Sequence, residues 1–477
     1  MRPTIQEIQT SHTPETLVEQ LAGEPGIVLL RSALFDSPHA HYSFVSARPF
    51  VTFRSFGSRC EITTDIPHIQ FGNPWHALDS LMSRYELLDE IDLPFPLGGC
   101  FGYWGYDLKN FVEPKLPRTA VNDLELPDCN VGFYDTVVVF DHRLAKTWIV
   151  STGLQSDGSR SEEQAKLGLE FWNSVFSRSS KAAASPNHSA MAPVIESNLS
   201  RADFIASVQK AQDYIRNGHI YQVNLSQRLA GEWPQSGWDL FNNLHEVSPA
   251  PFSAYLDCGH FQICSSSPEL FLRLSGSSIQ TRPIKGTRPR STDSVRDAQL
   301  SYELQTSAKE MSELVMITDL LRNDLGKVCE YGSVHVPELV RLERYPQVQH
   351  LVSTVEGRLR GDQTHFSSFA SCFPGGSITG APKIRAMEII DQLEPITRGP
   401  YTGAIGYLGF NRESQLSITI RTALAKNGKA YFHVGAGIVA DSNPEAEYDE
   451  TIAKAAGFRA ALEHRSVGVQ ASANRTH

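Results

Sequence analysis

The hydrophobic pattern changes character partway along the chain. Up to about residue 175, short apolar runs alternate with turns. Thr136-Val137-Val138-Val139-Phe140, then Asp141-His142-Arg143, then Thr147-Trp148-Ile149-Val150 predicts a hairpin. From Ser177 to Pro193 the chain is rich in Ser, Ala, Asn and Pro and shows no period, which marks a linker. Beyond it, Phe204, Ile205, Val208, Ala211 and Ile215 share one helical face that begins after Ser200 and stops at Gly218. Further helices are expected over 303–325, 382–393 and 444–463. Ser253 to Leu274 reads as a hairpin turning near Asp257-Cys258-Gly259-His260. Leu416 to Val434 reads as another, turning at Asn427-Gly428. There Leu416, Ile418, Ile420, Thr422 and Leu424 take one face, and Ser417, Thr419 and Arg421 the other. Strand pairs with long helices, in place of alternating β-α-β units, predict an α+β fold with mostly antiparallel sheet. The expected division is an N-terminal region at 1–176, a linker at 177–196, a second region at 197–463 and a tail at 464–477.

Composition narrows the class. The 477 residues are 41% hydrophobic and 20% charged, with a mean hydropathy of -0.26, as in a soluble globular protein. Met1 to Glu7 contains no apolar run that would start a secretory leader. No apolar stretch is long enough to cross a bilayer. A net charge of -10 argues against nucleic acid and membrane as partners. An anionic small substrate would therefore need a local cationic pocket. The seven cysteines are odd in number and form no Cys-x-x-Cys pair, which suits reduced thiols in a cytoplasm and gives no zinc signature.

Four patterns bear on chemistry. Glu310/Glu313 and Glu447/Glu450 are each spaced by three, which puts both carboxylates of a pair on one helical face. Four carboxylates from two helices suit a hard cation such as Mg²⁺; a solvated face with pairs such as Glu450 and Lys454 fits the same spacing. Pro374-Gly375-Gly376-Ser377-Ile378-Thr379-Gly380-Ala381-Pro382-Lys383 opens a helix and fits either an anion site or a turn with a cap. It is not a phosphate loop, because Ala381-Pro382 stands where that motif needs Lys-Ser/Thr. Gly98-Gly99-Cys100-Phe101-Gly102 imitates the nucleophile elbow of glutaminases, yet none of the 16 histidines has a glutamate two residues on. Cys100 is therefore read as a small buried residue. Arg421 and Lys454 suit a carboxylate clamp.

Taken together, Ser265-Ser266-Ser267-Pro268-Glu269, Pro283-Ile284-Lys285-Gly286-Thr287-Arg288-Pro289-Arg290, the helix from Glu313 to Asp324 and Gly435-Ala436-Gly437-Ile438-Val439-Ala440-Asp441-Ser442 resemble the chorismate-binding enzymes over about 197–463. The resemblance implies a large sandwich of two facing, mostly antiparallel sheets with helices outside. It implies Mg²⁺ held by Glu310, Glu313, Glu447 and Glu450. It implies Glu269 as general acid and substrate contacts from Gly286, Thr287, His350, Thr379, Gly380, Tyr407, Arg421, Gly435, Ala436, Gly437 and Lys454. Lys285 stands where the anthranilate synthase branch has alanine and so resembles the aminodeoxychorismate synthase branch. There a lysine is a covalent nucleophile in the conversion of chorismate and ammonia to 4-amino-4-deoxychorismate, on the way to 4-aminobenzoate and folate; a lysine that only anchors substrate fits the same position. Leu29-Leu30-Arg31-Ser32 and Tyr42-Ser43-Phe44 resemble a tryptophan pocket made by Ser32, Tyr42, Ser43 and Phe44, with arginine in place of a glutamate. Since the chain lacks glutaminase residues, the resemblance implies a separate glutaminase subunit in a heterodimer. The alternatives are anthranilate synthase component 1 chemistry and a non-catalytic relative that binds only tryptophan or a partner.

Overall fold

A computed structural model describes residues 2–32, 41–88, 93–178, 194–345 and 348–464. Most of the expected linker and nearly all of the tail lie outside these residues. Among the described residues the strands form two 12-stranded sheets, and every pairing between named strands is antiparallel.

Both sheets draw strands from both halves of the sequence. In the first, Val28–Arg31 pairs with Phe252–Asp257 through Leu29 opposite Tyr255. In the second, Gly99–Trp104 pairs with Ala404–Gly409 through Phe101 opposite Tyr407. Strands from either side of 177–196 thus share both layers.

The hydrophobic pattern explains the stacking. In Thr136–Asp141 every residue is buried. Val137 and Val139 pack with Phe101, Tyr103 and Ile405 of the other sheet. Val138 and Phe140 turn the other way, toward Leu17, Trp172 and Leu240 of the outer helices. Alternation along one strand thus serves two cores, which is why the run is apolar throughout. A matching outer core on the second sheet gathers Trp75, Leu78, Ile317, Leu321 and Phe369. The α+β sandwich with helices outside is therefore the observed architecture.

Three expected elements break where the sequence pattern runs on. The strand expected from Leu416 to Leu424 is two strands. Glu413–Ile418 belongs to the second sheet and Thr422–Lys426 to the first. The chain crosses between sheets at Arg421, whose φ of 51° is left-handed and unusual for a side chain this large. Leu416, Ile418 and Ile420 consequently face the second sheet's outer core, whereas Leu424 faces the space between sheets. The helix expected at 303–325 is two, Ser294–Thr306 and Ala308–Gly326, parted at Ser307. The helix expected at 444–463 is Pro444–Lys454 followed by Ala456–Glu463. The Asn427-Gly428 turn lies between Thr422–Lys426 and Lys429–Ile438, as its dipeptide predicts.

Candidate active site

Two helix starts carry glutamates. Ser307 caps the Ala308–Gly326 helix by accepting from the Glu310 amide, and Asn443 caps Pro444–Lys454. Glu310 and Glu447 therefore sit in first turns, where the helix dipole favours a carboxylate.

Opposite the first of these helices runs Ile284–Pro289, paired with Val348–Arg358 through Lys285 opposite Leu351. The register shifts between Lys285 and Thr287. Gly286 allows the shift with φ 64°. A Cβ there would lie 2.6 Å from Leu304 Cδ1 and 3.1 Å from the Glu310 carboxyl carbon. Glycine is thus required both by the backbone and by the close approach of Glu310. Two ion pairs join this strand to the helix: Lys285 Nζ to Glu313 Oε2 at 3.4 Å and Arg288 Nη1 to Glu310 Oε1 at 3.6 Å. From the other sheet, the space beside Gly437 opens on the same lysine, with Lys285 Nζ 3.8 Å from where a Cβ would be. Lys285 therefore lies between the sheets.

The second glutamate pair faces the same region. The Ser442 hydroxyl donates to Glu447 Oε1 at 2.6 Å. Lys454 Nζ is 2.8 Å from Glu450 Oε1 and donates to the Gly435 carbonyl at 2.9 Å. Burial pushes the Glu447 carboxyl up, and the neighbouring Glu450 adds to this. Burial also acts on Glu450, but Lys454, Lys309 and Lys285 outweigh it and leave that carboxyl lowered. The charges of Lys309 and Lys285 on Glu450 bring the two helices to one locus.

Each of the four carboxylates is matched by a protein cation or hydroxyl: Glu310 by Arg288, Glu313 by Lys285, Glu450 by Lys454 and Glu447 by Ser442. Among the described residues, no three His, Cys, Asp or Glu side chains converge as a metal cluster. The donor chemistry nevertheless fits Mg²⁺: four carboxylates on two helices, one of them buried with its carboxyl raised.

Glu269 follows Gln262–Ser267, just before a bulge in the Leu270–Ser275 strand. It is 6% exposed. Burial pushes its carboxyl up to about 7 against the pull of the Ser377 hydroxyl, Lys285, the Ile284 amide and Arg421. A carboxylic acid that still holds its proton near neutrality is suited to general-acid work. Arg421 is partly buried, and desolvation lowers it although Glu269 opposes that shift. Arg421 also bears on His350, which burial first, and that charge second, push down to about 4. His350 is thus a neutral imidazole at pH 7. Its Nδ1 lies 2.9 Å from Thr287 Oγ1 and 3.3 Å from the Gly286 carbonyl oxygen.

The remaining expected contacts fall in two groups. Gly435, Ala436 and Gly437 lie on Lys429–Ile438 opposite Ser226, Leu225 and Asn224. Thr379 is wholly buried and donates to the Gly375 carbonyl, which folds the glycine loop on itself. Gly380 pairs with Val223, bringing the loop to the same strand. Tyr407 goes elsewhere, between the rings of Phe44 and Phe101. There it lines a separate cavity with Ser32, Tyr42, Phe44, Arg31 and Arg273. Ser43, expected beside them, does not line that cavity; its hydroxyl accepts from the Ser32 amide and lies 2.6 Å from His142 Nε2. Arg31 pairs with Glu15.

Several residues that the sequence pattern did not single out support the site. Gln222 Nε2 lies 2.5 Å from the Cβ position of Gly437, next to Lys285. Lys383 is bound to Asp324 at 2.6 Å and donates to the carbonyls of Cys372 and Pro374, tying the glycine loop to the glutamate helix. Arg398 forms a buried fork with Glu394 and reaches the Asn224 carbonyl. The contacts of Gln222 with Gly437, Lys383 with Asp324 and Arg398 with Asn224 are long-range, so no local period announces them. Cys100, by contrast, is fully buried and its thiol is pushed well up by desolvation, as expected of a packing residue. All seven cysteines are buried and free. No helix of the described residues is long and apolar enough to cross a membrane.

Comparison with known proteins identifies the family. The aminodeoxychorismate synthase component 1 of Escherichia coli K12 is 39% identical over 452 residues, covering 92% of this chain and 94% of its own. The anthranilate synthase component 1 of Acetivibrio thermocellus is 37% identical over 477 residues, covering 96% and 94%. The crystal structure of anthranilate synthase component I from Streptococcus pneumoniae TIGR4 superposes with a TM-score of 0.75 at 29% identity, covering 88% of this chain and 92% of that one. The family model described as chorismate binding enzyme matches residues 31–460, and with both faces of the site lying inside that span, the chain belongs to the chorismate-binding enzyme family.

Proposed function

We propose that this chain is the chorismate-aminating component of an aminodeoxychorismate synthase, working in the cytoplasm with a separate glutaminase subunit. The observation that carries this reading is Lys285, an amine between the two sheets, close to Glu313 and Gly437. In this reading the Lys285 amine, in its neutral form, attacks C2 of chorismate, the ring double bonds shift, and the C4 hydroxyl departs with a proton from Glu269. Ammonia then attacks C4, the double bonds shift back, and the lysine amine leaves C2. Because C2 is occupied when ammonia arrives, nitrogen ends at C4. Arg421, with neutral His350 and Thr287 beside it, offers charge and hydrogen bonds to the substrate carboxylates. Glu310, Glu313, Glu447 and Glu450 would hold Mg²⁺. When bound, that ion supplies positive charge to the ring carboxylate and helps the hydroxyl leave. The cavity lined by Ser32, Tyr42 and Phe44 is the proposed tryptophan pocket, though its Arg31 differs from the acidic residue expected there.

The second reading is anthranilate synthase component 1, favoured by the relative of that name that matches 96% of the chain. Product identity separates the two. The purified chain with chorismate, Mg²⁺ and ammonium should give 4-amino-4-deoxychorismate by mass spectrometry, converted to 4-aminobenzoate by added lyase. Anthranilate and pyruvate without lyase would support the second reading. No turnover of chorismate would point to a binding-only relative.

A further inference from the structure

Ser377 touches the proposed general acid. Its hydroxyl donates to Glu269 Oε1 at 2.6 Å, a short hydrogen bond of the kind made to a carboxyl group. Both ends of this bond are anchored. Ser377 is the middle residue of the turn Gly376–Ile378. A Cβ on Gly375 would lie 2.6 Å from Ile418 Cδ1, and one on Gly376 would lie 2.6 Å from Leu320 Cδ2. The loop is thus wedged between a strand of the second sheet and the helix that carries Glu310 and Glu313. Thr379 and Lys383 tie it down further. On the other side, the Glu269 carbonyl accepts from the Ile418 amide at 3.1 Å. Ser267, fully buried, donates to the Ile418 carbonyl at 2.5 Å. The hydroxyl and the carboxyl therefore meet because two rigid elements bring them together.

We propose that Ser377 is a positioning residue for Glu269: by donating to Oε1 it fixes the rotation of the carboxyl group and leaves Oε2 as the oxygen that holds the transferable proton. This rests on the reading of Glu269 as general acid. A carboxylic acid has one proton and two oxygens, and an acid free to rotate presents the proton to the leaving hydroxyl only part of the time. The Ser377 bond removes that ambiguity, and the wedge of Gly376 against Leu320 passes the position of the glutamate helix on to the acid. The charged groups that act on Glu269 are Lys285 and Arg421. The Ser377 bond favours the ionised form, as do these two charges and the Ile284 amide, against the larger effect of burial.

The test is the pH profile of kcat for the full chain with chorismate, Mg²⁺ and ammonium, for wild type, Ser377→Ala, Ser377→Cys, Ser377→Thr and Glu269→Gln. Loss of the hydroxyl should lower kcat about tenfold, the upper end of the usual effect of one hydrogen bond. It should also move the alkaline limb to higher pH, because the acid then holds its proton longer. Ser377→Thr should restore both rate and limb, and Ser377→Cys, similar in size but a weak donor, should behave like alanine. A lower rate with the limb unmoved in alanine and cysteine variants would overturn the proposal, leaving Ser377 as a loop anchor. A limb that persists in Glu269→Gln would instead overturn the general-acid reading, and the proposal with it.

Discussion

Lys285 Nζ lies 3.4 Å from Glu313 Oε2, with the two side chains 18% and 14% exposed. The proposed nucleophile and a proposed metal ligand are therefore ion-pair partners, and a divalent cation must compete with Lys285 for this carboxylate. Lys285→Met should bind Mn²⁺, a spectroscopic stand-in for Mg²⁺, about threefold to tenfold more tightly, since removing a charge at this distance near a protein surface is worth on the order of 1 kcal/mol. Lys285→Arg should keep the wild-type affinity. Electron paramagnetic resonance titration without substrate checks both, and equal affinity for all three proteins would show that the pair does not oppose the metal.

The glutamates should differ in kind from surface charges. Glu313→Gln and Glu447→Gln should each raise the Mg²⁺ concentration needed for half-maximal turnover at least about tenfold, as loss of a carboxylate ligand to a hard cation implies. Chelator should stop the wild-type reaction and Mg²⁺ restore it. Near-normal rates at low Mg²⁺ in either variant would remove that residue from the ligand set.

Glu269 makes a prediction about stability as well as rate. Its folded-state carboxyl lies above the ordinary glutamate value of 4.5, at about 7, chiefly through burial. A raised acid stabilises the fold below its unfolded value, and that contribution is lost as pH rises through about 7. Glu269→Gln removes the charge that must be buried above that pH. It should therefore be more stable than wild type at pH 8, by on the order of 2–3 kcal/mol for a shift of this size. The gap should close toward pH 4. Thermal melts at the two pH values decide it, and a destabilised variant at pH 8 would contradict the burial argument. The same variant should be slower by about 10²–10⁴ in turnover, with the product unchanged.

These residues were unequally legible in the sequence. Asn427-Gly428 and the helix start after Ser200 act within a few residues, so local chemistry announced them. The crossing at Arg421 was hidden because alternation of two continues on both sides of it, while the side chains exchange one core for another. The break at Ser307 was hidden because a serine within a helical run marks a cap only when the preceding helix ends there. The glutamate pairs showed their spacing, but only the fold brings Glu310 beside Arg288 and Glu450 within reach of the Lys309 and Lys285 charges. Ser377, Gln222 and Lys383 depend on contacts more than fifty residues away in sequence, for which one chain offers no periodic signal.

Nitrogen supply follows from Cys100. This thiol is fully buried on a strand of the second sheet, in that sheet's outer core, and is pushed well up by desolvation. The chain alone should use ammonium and not glutamine. Cys100→Ala should change ammonium-dependent kcat by less than about twofold, as for a packing residue remote from chemistry. Glutamine-dependent turnover by the purified chain, lost in Cys100→Ala, would sink this account of the nitrogen source.

The most direct test of Lys285 as nucleophile is intact-mass analysis and peptide mapping of the chain after incubation with chorismate and Mg²⁺ without ammonia. The account predicts an adduct with the mass of chorismate less water on the peptide containing Lys285, absent in Lys285→Ala, with most 4-amino product lost in that variant. An adduct on another residue, or full 4-amination by Lys285→Ala with no adduct, would contradict it and leave Lys285 as a substrate anchor.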